Sequence, residues 1–198
     1  MFVHIPKTAG SAMHVYFKNY YNLTGNDRLD PEPKVHHQTY SEVIKGDDKL
    51  REYFSFAFVR NPWERLLSGF MDFKFKRGKN YSGKIIYDKP MIADETTFSQ
   101  FVEELESSWF YTDVHFKKQV LFLESESGKR IDFIGKYENL KQDFQKVCNL
   151  VGVQNLGLGH HRGTSHDHYT RYYNSRTKNI VGDLFSEDIR EFGYEFGS

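Results

Sequence analysis

Lys7, Thr8, Gly10 and Ser11 stand close together in the stretch FVHIPKTAGSA, where a short apolar run breaks at Pro6 and leads into a helix start. The first amides of that helix, around Gly10 to Met13, have no intrahelical partners and lie at the positive end of its dipole. A phosphate is suited to such a place. Gly10 lets a backbone approach closely, the Thr8 and Ser11 hydroxyls are further donors, and Lys7 can reach a bridging or leaving oxygen. An ordinary strand-to-helix turn with a solvated lysine is the alternative for this loop taken alone.

A second anion loop follows in FAFVRNPWERLLSGF, where Arg60 ends a buried strand and Ser68 lies roughly two turns into the next helix. Arginine offers a planar fork that matches phosphate, and a serine hydroxyl completes the cradle. Pairing of Arg60 with a surface carboxylate such as Glu64 is the competing reading. A nucleoside triphosphatase would show G-x-x-x-x-G-K-[ST]. The nearest match, GKNYSGKI at 78–85, has Ile85 in place of the magnesium-binding hydroxyl and follows no convincing buried strand. In the opening loop the lysine precedes the glycine, and no acidic residue clearly ends a strand as a magnesium partner. Both points argue against a metal-dependent kinase or ATPase.

These loops need strands and helices to hold them. Residues 2–5 read as a buried strand and 11–21 as a helix with Met13, Tyr16, Phe17 and Tyr20 on one stripe. Residues 22–34 read as a loop, and PKVHHQTYSEVIK as a short strand and a short helix with Thr39 and Glu42 as a capping box. YFSFAFV at 53–59 is the strongest strand, and Pro62 opens the following helix. Residues 76–95 read as a long surface excursion whose lysines and Arg77 could attract an anionic glycan, a solvated loop being the alternative. Helical spacing returns at 97–107 and about 113–123, which puts His115 and Gln119 on one helix face. RIDFIGKY is a strand, ENLKQDFQKVCNLVG a helix closed by Gly152, and 177–192 a final helix or helix pair. Alternation of this kind predicts an α/β fold, a parallel sheet flanked by helices, with ligands beyond the carboxyl ends of its strands.

The 198 residues fit a single domain, and 27 basic against 27 acidic residues leave no global field for nucleic acid or an anionic membrane. The one cysteine, Cys148, excludes an intramolecular disulfide and reads as a buried thiol. With the chain opening on its first strand and no long apolar run, the expectation is a soluble, cytoplasmic protein without signal peptide or membrane span. The two glycosylation sequons, at Asn22 and Asn80, are discounted for the same reason.

HIPKTAGSA together with FVRNPWERLLSGF resembles the two nucleotide-binding motifs of sulfotransferases that use 3′-phosphoadenosine-5′-phosphosulfate (PAPS), in particular the carbohydrate group that includes heparan sulfate 2-O-sulfotransferase. HHQTYSEV, HFKKQVLFL, DFIGKYENLKQDF and the tail HYTRYYN…EDIREFGYEF resemble successive blocks of that group, so nearly the whole chain is covered. Ala9 is a departure, standing where the family often has a second glycine.

The resemblance implies a P-loop NTPase-like three-layer fold over 1–198 and sulfuryl transfer from PAPS to a hydroxyl of a carbohydrate or similar acceptor. It implies that Lys7, Thr8, Ala9, Gly10, Ser11 and Ala12 cradle the 5′-phosphosulfate end, while Arg60 and Ser68 hold the 3′-phosphate. Two separate cradles suit a nucleotide phosphorylated at two ends of its ribose. Lys7 would stabilise the charge left on adenosine 3′,5′-bisphosphate. His37 matches the family's base, with neighbouring His36 as substrate contact or alternative base and Glu42 a weaker candidate. His115 and Gln119 resemble acceptor-side residues, and Arg162 in HHRGTSHDH would meet phosphate. That histidine-rich loop matches no zinc spacing, so no metal is expected. Trp63 is read either as an adenine neighbour or as core, and Tyr137-Glu138-Asn139 as a structural turn. A small nucleotide kinase and a non-catalytic nucleotide-binding domain stay open as alternatives, and the oligomeric state is not legible.

Overall fold

The computed structural model describes residues 1–21, 37–45, 47–75, 91–125, 128–159 and 167–198, so His36, Arg162, the 78–85 stretch and most of the expected excursion lie outside the described residues. The described residues form a mixed α/β structure that groups into two compact units. One comprises Met1–Arg60 and Lys118–Gly163, the other Asn61–Lys117 and Thr164–Ser198.

The first unit is built on a three-stranded parallel sheet in the order β1 (Phe2–Val3), β2 (Phe56–Val59), β3 (Phe133–Lys136). Phe2 pairs with Phe56, and Ala57 with Ile134. Every residue of β2 is buried, as a central strand requires, which explains its unbroken apolar run. Gly135 is needed on β3 because a Cβ there would lie 2.5 Å from the Phe58 ring on the neighbouring strand. Helix α1 (Gly10–Tyr20) and helix α5 (Leu140–Val151) share one core with β2, in which Tyr16 meets Phe144 edge-on at 4.8 Å beside Met13, Phe56, Phe58 and Val147. Gly152, at φ 72°, closes α5 in the left-handed conformation that glycine favours. Cys148 is buried in this core, as its helical context predicts.

Helix α2 (Tyr40–Lys45) begins with the predicted capping box: the Thr39 amide donates to Glu42 Oε2 at 2.7 Å and the Glu42 amide to Thr39 Oγ1 at 3.2 Å. Glu42 is thereby accounted for as a cap.

The second unit is helical, with α3 (Pro62–Phe75), α4 (Phe98–Glu104), α6 (Ser175–Leu184) and α7 (Ser186–Phe192). Asn61 starts α3, its Oδ1 accepting from the Trp63 amide at 3.1 Å, and Pro62 takes the first helical position, where its missing N–H costs nothing. Trp63, Leu66, Leu67 and Phe70 on α3 join Phe101, Phe116 and Val181 in one core, and the Trp63 indole donates to the Lys178 carbonyl at 3.0 Å. Trp63 is a core residue of this unit.

The helix expected at about 113–123 does not form; turns and a single 3₁₀ stretch at Gln119–Phe122 take its place. The reason is local. Asp113 Oδ1 draws in the His115 amide at 2.9 Å, and the Arg65 guanidinium takes the His115 and Lys117 carbonyls at 3.1 and 2.8 Å. Side-chain bonds to these backbone groups compete with a helical ladder. His115 and Gln119 therefore do not share a helix face. No helix among the described residues is long and apolar enough to cross a membrane.

Candidate functional site

The site grows from the turn between β1 and α1. Lys7 and Ala9 both take positive φ, 70° in each case, a region that side-chain-bearing residues enter only at a cost. The Thr8 hydroxyl, fully buried, donates to the Ile5 carbonyl at 2.8 Å and pins the turn from inside. Its hydrogen is thus committed to the loop's shape, and direct donation to an anion falls to other groups.

The backbone ladder of α1 starts with the Ala12 and Met13 amides, which both bond to the Ala9 carbonyl at 3.0 and 3.3 Å. The Gly10 and Ser11 amides lie ahead of the ladder, while the Ala12 amide is already engaged. Where α2, α4 and α6 carry side-chain capping boxes, the N-cap of α1 is Ala9, whose methyl offers the helix amides nothing, and no acidic residue sits in the first turn. Donor amides, a cation at Lys7 and a first turn without acidic residues form a donor set that fits an anion.

Gly10 has a steric role. A Cβ at this position would fall 1.9 Å from the His4 ring, so the imidazole and the helix start touch only because glycine is there. His4 is buried, 5.2 Å from His14 and 4.5 Å from His37 between ring centroids. His37 Nδ1 lies 3.3 Å from the His4 carbonyl oxygen. A carbonyl only accepts, so in this contact Nδ1 is the donor.

Arg60 reaches the same turn. Its Nη1 donates to the Lys7 carbonyl at 3.2 Å, and its guanidinium carbon lies 4.0 Å from the centroid of the Tyr137 ring. Its backbone is held by Gln119, whose Oε1 accepts from the Arg60 amide at 2.9 Å and whose Nε2 donates to the Arg60 carbonyl at 2.8 Å.

Within the first unit the structure thus brings Lys7, Arg60, Gln119 and the α1 amides together, with His37 beside the same β1–α1 segment through His4. Ser68, buried on α3, and His115, whose Nδ1 lies 2.8 Å from Asp113 Oδ1, belong to the second unit. His4 and Tyr137 are participants that residue types alone did not single out. Tyr137 was readable only as part of a strand-to-helix turn, and an aromatic face under an arginine leaves no mark in spacing.

A family model described as the sulfotransferase family matches residues 1–195. The chain belongs to that family. This sulfotransferase-family chain is 31% identical over 101 residues, 51% of its length, to an uncharacterised protein of Archaeoglobus fulgidus, covering 69% of that protein. It is 31% identical over 122 residues to carbohydrate sulfotransferase 11 of Rattus norvegicus, covering 53% of this chain and 34% of the relative. To carbohydrate sulfotransferase 14 of Mus musculus it is 25% identical over 170 residues, covering 76% of this chain and 44% of the relative. It therefore spans less than half the length of these two carbohydrate sulfotransferases. No solved structure matches the chain.

Proposed function

We propose that the chain is a sulfotransferase that takes a sulfuryl group from PAPS and passes it to a hydroxyl of a carbohydrate or similar acceptor. The observation that carries this reading is the meeting of Lys7 and Arg60 at the uncapped start of α1. The names of the matched relatives support a carbohydrate acceptor. The family match over 1–195 supports a single sulfotransferase domain of P-loop-like, three-layer architecture that takes in both units.

When bound, the donor supplies an activated sulfuryl group whose transfer leaves negative charge on a 5′-phosphate. The Gly10 and Ser11 amides, ahead of the helical ladder, and the Lys7 ammonium would stabilise that charge, and fixed donors aimed at developing charge usually make the largest contribution to such catalysis. By the resemblance of their motifs, Arg60 and Ser68 would hold the 3′-phosphate, and Arg162 would be a further phosphate contact. His37, whose ring is set beside β1 by the contact of Nδ1 with the His4 carbonyl, takes the acceptor proton. His36 and His115 serve the acceptor side. The scheme needs no metal.

Titration with adenosine 3′,5′-bisphosphate in the presence of a chelator, against ATP with magnesium, separates this reading from a kinase. Tight metal-independent binding of the bisphosphate is expected. In transfer of labelled sulfate to a panel of glycans, Lys7→Ala should lower the rate by on the order of 10²–10³, the effect of losing one transition-state donor. Equal activity in the two proteins would sink the role given to Lys7.

A further inference from the structure

Gln119 entered the sequence reading as a residue that touches the acceptor. In the structure its carboxamide is fully buried and both of its ends are on the backbone of Arg60: Oε1 accepts from the amide at 2.9 Å and Nε2 donates to the carbonyl at 2.8 Å. The pairing imitates a strand neighbour. It takes over where the ladder of β2 ends at Val59, and so fixes the direction in which the Arg60 side chain leaves the sheet.

The guanidinium is itself oriented, by the face of Tyr137 on one side and the Lys7 carbonyl at 3.2 Å on the other. Lys7, like Ala9, is at φ 70°, a conformation that persists only where the surroundings over-determine it. The chain of contacts therefore runs from Gln119 through Arg60 to the turn that carries the candidate catalytic lysine.

We infer that Gln119 is a positioning residue of the donor site, acting through Arg60, with Tyr137 as the shelf that sets the plane of the guanidinium. This deepens the reading of the site given above and rests on it. Arg60 then has two duties: its guanidinium binds an anion and, through Nη1, braces the Lys7 turn.

A double-mutant cycle on the full chain tests this, with adenosine 3′,5′-bisphosphate affinity measured by calorimetry for the wild type, Gln119→Leu, Arg60→Ala and the double variant. Gln119→Leu should weaken binding about ten- to hundredfold, the usual range for partners that orient binding groups. The double variant should bind no worse than Arg60→Ala alone, because Gln119 has nothing left to act through. A Gln119→Leu protein that binds like the wild type, or a loss that persists in full on the Arg60→Ala background, overturns the inference. Gln119→Glu, which keeps an acceptor for the amide but sets an oxygen against the Arg60 carbonyl, should weaken binding in the same direction if Gln119→Leu does not fold. Wild type that fails to bind the bisphosphate would overturn the functional reading itself. The positioning role is then still read without ligand, from the rate at which phenylglyoxal modifies Arg60, mapped by mass spectrometry. Gln119→Leu and Tyr137→Leu should accelerate it several-fold and Tyr137→Phe should not, while equal rates in all four proteins would count against the inference.

Discussion

Ala9 shows how much one methyl group can say. It sits at φ 70° and ψ 14°, the left-handed N-cap of α1, in a place where the resembling family often carries glycine. The left-handed conformation costs a non-glycine residue roughly 1–2 kcal/mol, part of which glycine would return as extra freedom of the unfolded chain. Ala9→Gly should therefore stabilise the protein by about 1 kcal/mol, read as a higher urea midpoint with an unchanged slope. A lower midpoint would mean that the turn is held by something other than the contacts described. Gly10 is the opposite case. Its neighbour in space is the His4 ring, so the glycine at the conventional phosphate-loop position is also demanded by an imidazole packed against it. The chemistry of the loop was legible from Lys7 and Gly10, whereas the ring behind it was not, because packing across a turn has no period in the sequence.

At the level of elements, what the sequence disclosed followed from strong local preference. The aromatic and β-branched run of β2, the proline at the start of α3, the Thr39–Glu42 box of α2 and the glycine after α5 each announce their element by a local physical cause. The stretch around His115 failed because its apolar spacing fits a helix while its carbonyls are claimed from outside by Arg65. A distant side chain overrode the local pattern, and the shared face expected for His115 and Gln119 went with it. A second side-chain clamp joins the entries to β2 and β3: Asp132 Oδ2 accepts from both the amide and the hydroxyl of Ser55 at 2.7 Å. Burial pushes the Asp132 carboxyl up, but the two Ser55 hydrogen bonds and the Lys129 charge outweigh it and hold the group below the ordinary aspartate value. With a depressed folded value, the contribution is complete above the unfolded value of about 3.9 and is lost as pH falls through the folded one. The advantage of the wild type over Asp132→Asn in urea midpoint should accordingly shrink between pH 5 and pH 2, modestly, since Asp132 is largely exposed. A difference that stays constant with pH would contradict this assignment.

At the scale of the whole molecule, the chain passes from one unit to the other after Arg60, after Lys117 and after Gly163, so neither unit is a continuous segment. The family match runs across all three passages. A single cooperative thermal transition is the expected outcome, and bisphosphate at about a hundred times its dissociation constant should stabilise the fold by about 2.7 kcal/mol without added magnesium. Two separated calorimetric peaks would argue for independent units.

The distribution of two residue types makes that question answerable without labels or substitutions. Both tryptophans of the sequence, Trp63 and Trp109, lie in the second unit, and its one cysteine lies in the first. Burial holds the Cys148 thiol above its ordinary pKa, so a thiol reagent reacts with it only when the core around Tyr16 and Phe144 opens. Indole fluorescence and thiol-reaction kinetics are thus native reporters of different parts of one chain. If the two clocks keep the same time during unfolding, the units open together.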